Sequence, residues 1–589
     1  MSRQPNIVFV LTDDQGYGDL GCTGNPYVQT PGIDAFSGES VRLTDYHVGP
    51  TCAPTRAGIM TGHYANSTGV WHTIGGRSLL RENEWTLAAA LAEAGYATGI
   101  FGKWHLGDAY PYRPHDRGFG SAVVHGGGGI SQTPDYWGND YFDDTYFVSG
   151  EPQPFEGYCT DVWFDLARRF ISENRDRPFF CYIPTNAPHS PYNVEDRYAD
   201  RYRGHEPELR ARFHGMITNI DENFAKLREH LRELGLEDDT ILIFMTDNGT
   251  SGGASVDAKG HVTDGYNAGM RGLKGSPYEG GHRVPFFVRY PAGGLGGGVD
   301  VDQITANVDF MPTMLDLCGV PVPEGRSFDG RSIVPLLRAA AAGRQVRDDW
   351  PDRILVTDSQ RLTNPVKWRQ SSTMTNRWRL INGTELYDVT IDPGQVRDVA
   401  EEHPDVVARL REGYERWWER VSEQFNRAIP QSIGSPDWTG SRLTCHDLRN
   451  DDCDVPWHQG HIRAGHLSRG YWEFRVDTPG TYTFELRRWP RELGYSLGDG
   501  IDEPDISWRA DVIHERDRHF YEGGRALPIT GARLAVGDVV TEQPVAGDAE
   551  AARFTVELPS GETRLEASFT VAGEEAAAYY VYVSPTRTG

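Results

Sequence analysis

Asn6-Ile7-Val8-Phe9-Val10-Leu11 passes straight into Thr12-Asp13-Asp14-Gln15-Gly16. A continuous apolar run without alternation reads as a strand covered on both faces, as in a parallel sheet. Its carboxyl end carries two adjacent acids. Open α/β sheets seat ligands outside the carboxyl ends of their strands, so Asp13 and Asp14 are candidate ligands. A turn or a helix cap is the alternative for the same pair.

Three more runs repeat the pattern. Residues 96–101 lead into Gly102-Lys103-Trp104-His105, residues 178–183 precede Pro188-His189-Ser190, and residues 240–245 precede Asp247-Asn248-Gly249. Helical spacing lies between them. Trp85, Leu87, Ala88 and Leu91 share one face over 84–95, a helix is predicted over 160–174, and Phe213, Ile217, Ile220, Phe224, Leu227 and Leu231 mark a long one over 206–236. Helices alternating with apolar strands predict a three-layer α/β/α fold around a mostly parallel sheet.

Another helix is expected from Phe310. Residues 378–381 and 385–389, with Asn382-Gly383 between them, read as a hairpin with a type I′ turn, and a helix over 404–421 follows. This predicts a small antiparallel sheet with a covering helix. Beyond residue 434 the texture changes: 470–476, 480–488, 552–558 and 579–583 alternate polar with apolar or aromatic residues between Pro/Gly turns. That pattern predicts a C-terminal all-β sandwich of about 150 residues. The expected division is 1–340 for the catalytic α/β domain, 341–428 for the small sheet, and 435–589 for the sandwich.

The chain has 589 residues, 38% hydrophobic and 24% charged, which suits a multidomain globular protein with sizeable cores. A formal charge of −26 argues against nucleic acid as the main partner, because no basic excess exists to displace counterions. An anionic small molecule remains compatible, since a few cations can focus positive potential in a cleft. No signal-like segment opens the sequence and no run of about eighteen apolar residues occurs, so no membrane partner is expected. The expected location is cytoplasmic. Seven scattered Cys form no disulfide framework.

Between the first two strands lies Thr51-Cys52-Ala53-Pro54-Thr55-Arg56-Ala57-Gly58. Cys52-Ala53-Pro54-Thr55-Arg56 resembles the signature C-x-P-[ST]-R of type I sulfatases. Asp13-Asp14, Lys103-x-His105, Pro188-His189, Asp247-Asn248-Gly249 and Lys274-Gly275-Ser276-x-x-Glu279-Gly280-Gly281-x-Arg283-x-Pro285 follow that family in order and spacing, over about residues 5 to 425. The chain is thus similar to the arylsulfatase-like, formylglycine-dependent enzymes of the alkaline phosphatase superfamily.

The resemblance implies a mechanism. Cys52 is converted to 3-oxoalanine (formylglycine) by a formylglycine-generating enzyme, a maturation partner, and one hydroxyl of the hydrated aldehyde attacks sulfur. Asp13, Asp14, Asp247 and Asn248, with the residue at position 52, hold Ca²⁺, or alternatively Mg²⁺. This oxygen-only set suits a hard cation. Lys103 and Lys274 neutralise the sulfuryl group and Arg56 holds the nucleophile. His189 is the leaving-group acid, and His105 the contact or base for the second hydroxyl. The implied activity is that of a sulfuric ester hydrolase acting on a sulfated small molecule or glycan. Two alternatives stand: a phosphonate or phosphate ester hydrolase using the same site, and a non-catalytic glycan-binding protein working through its tail domain.

Other motifs carry less. His125-Gly126-Gly127-Gly128-Gly129 reads as a flexible loop near the mouth, with Tyr136, Trp137, Tyr141 and Phe142 as candidate wall. Cys445, His446, Cys453, His458 and His461 fit no standard zinc spacing; a local Cys445–Cys453 pairing or plain burial is expected. Trp457, Trp472 and Trp489 are expected in the sandwich core rather than on a sugar-binding face.

Overall fold

A computed structural model describes residues 4–344, 350–502, 505–514, 516, 521 and 523–586. The outermost limits of the expected division, residues 1 and 589, lie outside the described residues. The dominant element is an 11-stranded mixed sheet. Its centre runs in the order Thr240–Thr246, Asn6–Thr12, Phe179–Pro184, Ala97–Lys103 and Ser121–His125, all parallel. The four strands expected from sequence are therefore neighbours, and their carboxyl ends form one continuous edge. The antiparallel strand Arg283–Arg289 joins this block to Val41–His47 on one side.

Both faces are covered, which is why the central strands read as unbroken apolar runs. Alternate residues of the first strand enter opposite cores. Ile7, Phe9 and Leu11 meet the side formed by helices Cys52–Thr61, Leu87–Glu93 and Phe310–Cys318. Val8 and Val10 meet Pro31–Glu39, Cys159–Asn174 and Glu208–Glu233. Each fully buried Val, Leu, Ile or Phe contributes roughly 1.5–3 kcal/mol. Thr86 accepts a hydrogen bond from the Ala89 amide and so starts the Leu87–Glu93 helix.

The second sheet is antiparallel, with strands Leu355–Asp358, Ser371–Met374, Trp378–Ile381 and Glu385–Asp388 in sequential order. Asn382 and Gly383 take φ of 50° and 70°, as a type I′ turn requires. Helix Pro404–Ser422 covers the sheet, with Leu410 packed on Trp378 and Leu380.

Two further sheets enclose one apolar core at the C-terminal end. Phe474, Leu534, Leu565 and Phe569 enter it from one sheet, and Phe484, Phe554 and Val581 from the other. The pairing departs from pure antiparallel order at Gln431–Ile433, which runs parallel to Trp472–Val476. Trp472 and Trp489 lie in this core as expected, while Trp457 is packed at its border. Cys445 and Cys453 are both free thiols, so of the two expected alternatives the local pairing fails and plain burial holds for Cys445. Cys445 donates instead to the Pro456 carbonyl and Cys453 contacts the Thr363 hydroxyl.

Candidate active site

Cys52 is the first residue of a helix, Cys52–Thr61, in which every residue is buried. Pro54 is tolerated because amides in the first helical turn need no intrahelical partner. Gly58 lets the helix approach its neighbours: a Cβ there would lie 2.3 Å from the Asn307 amide nitrogen. One turn on from Cys52, Arg56 reaches two strand ends. Its guanidinium donates to Asp247 Oδ2 at 2.8 Å and to the Lys103 carbonyl at 3.1 Å. The helix start is thereby pinned to the sheet edge.

The strand ends bring the acids together. Asp13 donates its amide to the Ala187 carbonyl and Asp247 to that of Thr12, so backbone pairing sets their positions. Asp14, in a left-handed conformation at φ 64°, donates its amide to Asp247 Oδ1 at 3.1 Å. Cys52 Sγ lies 3.9 Å from Asp14 Oδ1, and single ligand atoms of Asp13, Asp14 and Cys52 all fall within 4.8 Å of one another. Asn248 donates to Asp14 Oδ1 at 3.0 Å.

The cations close around this set. Lys103 Nζ pairs with Asp13 and Lys274 Nζ with Asp14. Burial alone would raise the Asp14 carboxyl, but the charges of Lys274, His189 and Lys103 hold it well below the usual carboxylate range. Asp247 goes the other way: burial and then the Asp13 charge push it up to about 7 against the pull of Arg56. The Cys52 thiol is pushed up to about 12 by burial and then by Asp13.

Both histidines are held by carbonyls. His189 Nδ1 lies 2.6 Å from the Ser190 carbonyl and its Nε2 lies 3.7 Å from Asp14 Oδ2. A carbonyl can only accept, so Nδ1 carries the hydrogen and Nε2 is the atom that faces Asp14. Burial lowers His189 to about 4, with Asp14 opposing and Lys274 and Lys103 adding to the depression. His105, at φ 58°, places Nε2 2.9 Å from the Thr73 carbonyl, leaving Nδ1 a buried, unpartnered acceptor. Burial, then Lys103 and His446, keep it well below its ordinary value.

Every residue expected in the site is thus brought to one place. Sequence reading missed what supports them. Thr73 orients His105, and the buried Tyr141 hydroxyl donates to the His189 carbonyl at 2.6 Å. The glycine run is a packed element rather than a flexible loop. Gly127 and Gly128 donate to Asp108 and Gln132, and a Cβ on Gly128 would lie 2.3 Å from the His105 ring. The four consecutive glycines were the signal for this close approach. Trp137 does not form the wall: it packs edge-on against Trp489 at 5.5 Å in the sandwich core.

The set fits a hard divalent cation. Asp13, Asp14 and Cys52 bring ligand atoms together, Asp247 and Asn248 hydrogen-bond to Asp14, and Asp13 Oδ1 and Asn248 Oδ1 are buried without partners. A second buried cluster, His47, Glu279 and His282, also has ligand spacing. There, however, the Arg379 guanidinium lies 2.6 Å from Glu279 and 2.8 Å from Asp45, so a protein cation already fills the acidic niche.

Comparisons with known proteins identify the family. Residues 5–320 match the sulfatase family, and residues 274–419 match the C-terminal part of N-sulphoglucosamine sulphohydrolase. Mouse arylsulfatase J is 30% identical over 353 residues, covering 56% of this chain and 55% of its own length. Human arylsulfatase A is 27% identical over 508 residues, covering 76% of this chain and 94% of its own. The solved structure of Ps i-CgsB in complex with k-i-k-neocarrahexaose superposes with a TM-score of 0.63 at 25% identity, covering 72% of this chain and 94% of that one. The cytoplasmic location expected from sequence is corrected by the same comparison, because arylsulfatase A is a protein of the lysosomal and secretory route. Among the described residues no helix is long and apolar enough to cross a membrane. With the family match spanning more than half of its length, the chain belongs to the sulfatase family, sulfuric ester hydrolases of the alkaline phosphatase superfamily.

Proposed function

We propose that this chain hydrolyses an aryl or carbohydrate sulfate monoester at the site formed by Cys52, Lys103, His105, His189 and Lys274. The observation that carries the reading is Cys52 at the start of a buried helix, within ligand distance of Asp13 and Asp14 and flanked by two lysines. Formylglycine made from Cys52 supplies a hydrated aldehyde as nucleophile, which makes a formylglycine-generating enzyme the maturation partner. Ca²⁺, or Mg²⁺, would be held by Asp13, Asp14, Asp247, Asn248 and the residue at position 52, and it supplies Lewis acidity toward the sulfate oxygens and the nucleophile.

The chain's own groups do the rest. Lys103 and Lys274 bind the sulfate oxygens in a water-poor site, where charge is worth most. Arg56 fixes the helix start against Asp247 and so orients position 52. His189 Nε2 gives its proton to the departing ester oxygen; the negative charge of a bound sulfate raises its affinity for that proton. His105 Nδ1, a free acceptor, takes the proton of the remaining hydroxyl as sulfate is expelled. Residues 1–340 and 341–428 act as one catalytic unit in this reading, and 435–589 as an accessory sandwich. A carbohydrate sulfate is supported by the neocarrahexaose complex of the similar structure.

Mass spectrometry of the Cys52 peptide, with aryl sulfate and phenyl phosphonate turnover, tests this reading. The peptide is expected about 18 Da below its thiol mass, with sulfate the faster substrate. Faster phosphonate turnover, or an unmodified thiol in active enzyme, overturns it.

A further inference from the structure

Arg361 is an exposed arginine in a chain where acids outnumber bases, 84 to 58, yet among the described residues it has no recorded hydrogen bond or ion pair. Other exposed arginines, such as Arg377 and Arg416, hold a carboxylate. Its φ of 41° lies in a region that residues other than Gly, Asn and Asp rarely adopt. The surrounding loop enforces that conformation. Trp71 Nε1 donates to the Leu362 carbonyl at 3.1 Å and Arg77 Nε to the Thr363 carbonyl at 2.9 Å. On the other side, Arg369 donates to the Ser359 carbonyl at 2.6 Å, and the buried Gln360 side chain to Asp358 at 2.6 Å.

The guanidinium stands beside Gly275, the residue after Lys274 of the proposed site. Its Cζ is 3.8 Å from the place a Cβ on Gly275 would occupy. Gly275 follows Lys274, and its amide donates at 2.8 Å to the Pro50 carbonyl, two residues before Cys52. The charge is also felt across the mouth: burial and then Arg361 lower His72 to about 3. His72 adjoins Thr73, the residue that orients His105. An unpaired, preoriented guanidinium beside an anion-binding pocket matches the planar fork that recognises oxyanions.

We propose that Arg361 forms a subsite for a second oxyanion of the substrate, a carboxylate or a further sulfate carried next to the scissile sulfate ester. The proposal rests on the esterase reading above and narrows it to substrates with two negative groups. It places recognition on the loop between strands Leu355–Asp358 and Ser371–Met374, outside the residues that perform the chemistry.

Calorimetric titration of the full chain carrying Cys52→Ala tests it without turnover. The probes are positional series of monosulfated galactose, disulfated galactose and sulfated glucuronic acid. In at least one series a two-anion sugar is expected to bind about 10- to 100-fold more tightly than its one-anion counterpart. Arg361→Ala should erase that advantage and Arg361→Lys restore part of it, with 4-nitrophenyl sulfate turnover retained when Cys52 is intact. An advantage confined to the disulfated sugars identifies a second sulfate as the ligand, and one confined to the glucuronates identifies a carboxylate. Equal affinity for one- and two-anion sugars throughout, or an advantage that survives Arg361→Ala, overturns the proposal. Absence of 4-nitrophenyl sulfate hydrolysis by protein converted at Cys52 counts against the esterase reading instead.

Discussion

Two buried charge clusters stand near the same sheet edge and serve opposite ends. Around Cys52, three carboxylates and Asn248 face two lysines and Arg56, and two oxygens remain without partners. Around His47, Asp45 and Glu279 are clamped by the Arg379 guanidinium, which also reaches the His47 ring at 3.3 Å. Both have metal-ligand spacing, so spacing alone does not separate a site from a strut. The difference is how many acids a guanidinium covers: Arg56 holds Asp247 alone in the first cluster, whereas Arg379 spans both Asp45 and Glu279 in the second. A planar guanidinium, fixed by several hydrogen bonds, fills the second cluster permanently. Lysines on flexible stems leave the first one able to exchange partners with an incoming anion. In the proposed function the first cluster carries the chemistry, and the second ties the Glu279–His282 turn, downstream of Lys274, to strands Val41–His47 and Trp378–Ile381.

Metal dependence gives the largest expected contrast. Adding Ca²⁺ at about 100 times its dissociation constant should stabilise the wild-type chain by roughly 2.7 kcal/mol, read as a rise in Tm. Asp13→Asn should abolish both that rise and the activity, whereas Glu279→Gln should keep the rise. A Ca²⁺-dependent rise lost in Glu279→Gln and kept in Asp13→Asn would reverse the assignment of the two clusters.

The strut should show itself in stability instead. Removing one partner of a buried ion pair costs about 3–5 kcal/mol, so Glu279→Gln should lower the unfolding free energy without removing sulfatase chemistry. Burial alone would raise Glu279, but Arg379 and then His47 hold it down at about 2, from an ordinary 4.5. A folded-state value below the unfolded one stabilises fully above about pH 4.5 and is lost as pH falls toward 2. Tm measured between pH 5 and 3 should therefore fall less steeply in Glu279→Gln than in the wild type. Equal slopes would show that the pair does not bear on acid stability.

The smallest effect sharpens the boundary of the first cluster. Gly128→Ala puts a methyl group into the His105 ring, so the ring or the loop must shift. Turnover should drop by about 10- to 100-fold, as expected for misplacement of a catalytic group by about 1 Å, with the Ca²⁺-dependent Tm rise intact. Unchanged turnover would mean that His105 is not held by this loop.

Much of the first cluster was legible because its parts are local. Residues 6–16 carry a strand and its terminal acids in one stretch, and parallel pairing puts the ends of such strands on one edge whatever lies between them. Cys52 and Arg56, four apart on a helix, share a face by the same kind of local rule. The second cluster was not legible. Arg379 lies in a hairpin 334 residues from Asp45 and 100 from Glu279, and no local pattern announces that they meet. Arg361 was invisible for the same reason, since its place beside Gly275 comes from a loop held by Trp71 and Arg77.

The glycine run at 126–129 shows the limit from the other direction. Its composition announces missing side chains, and flexibility was the natural reading. Packing decided otherwise, because the space freed by the missing Cβ atoms is taken by the rings of His105 and His189. The amino-acid sequence by itself thus determined the sheet, the order of the charged residues along its edge and the place of Cys52 and Arg56 on one helix face, all properties of strand ends and helix faces. Tertiary structure alone decided which charged cluster is closed by a guanidinium, which loop grips the histidines, and where an unpaired arginine meets the pocket. Those outcomes depend on contacts between distant segments, and burial rather than sequence spacing sets which charges must find each other.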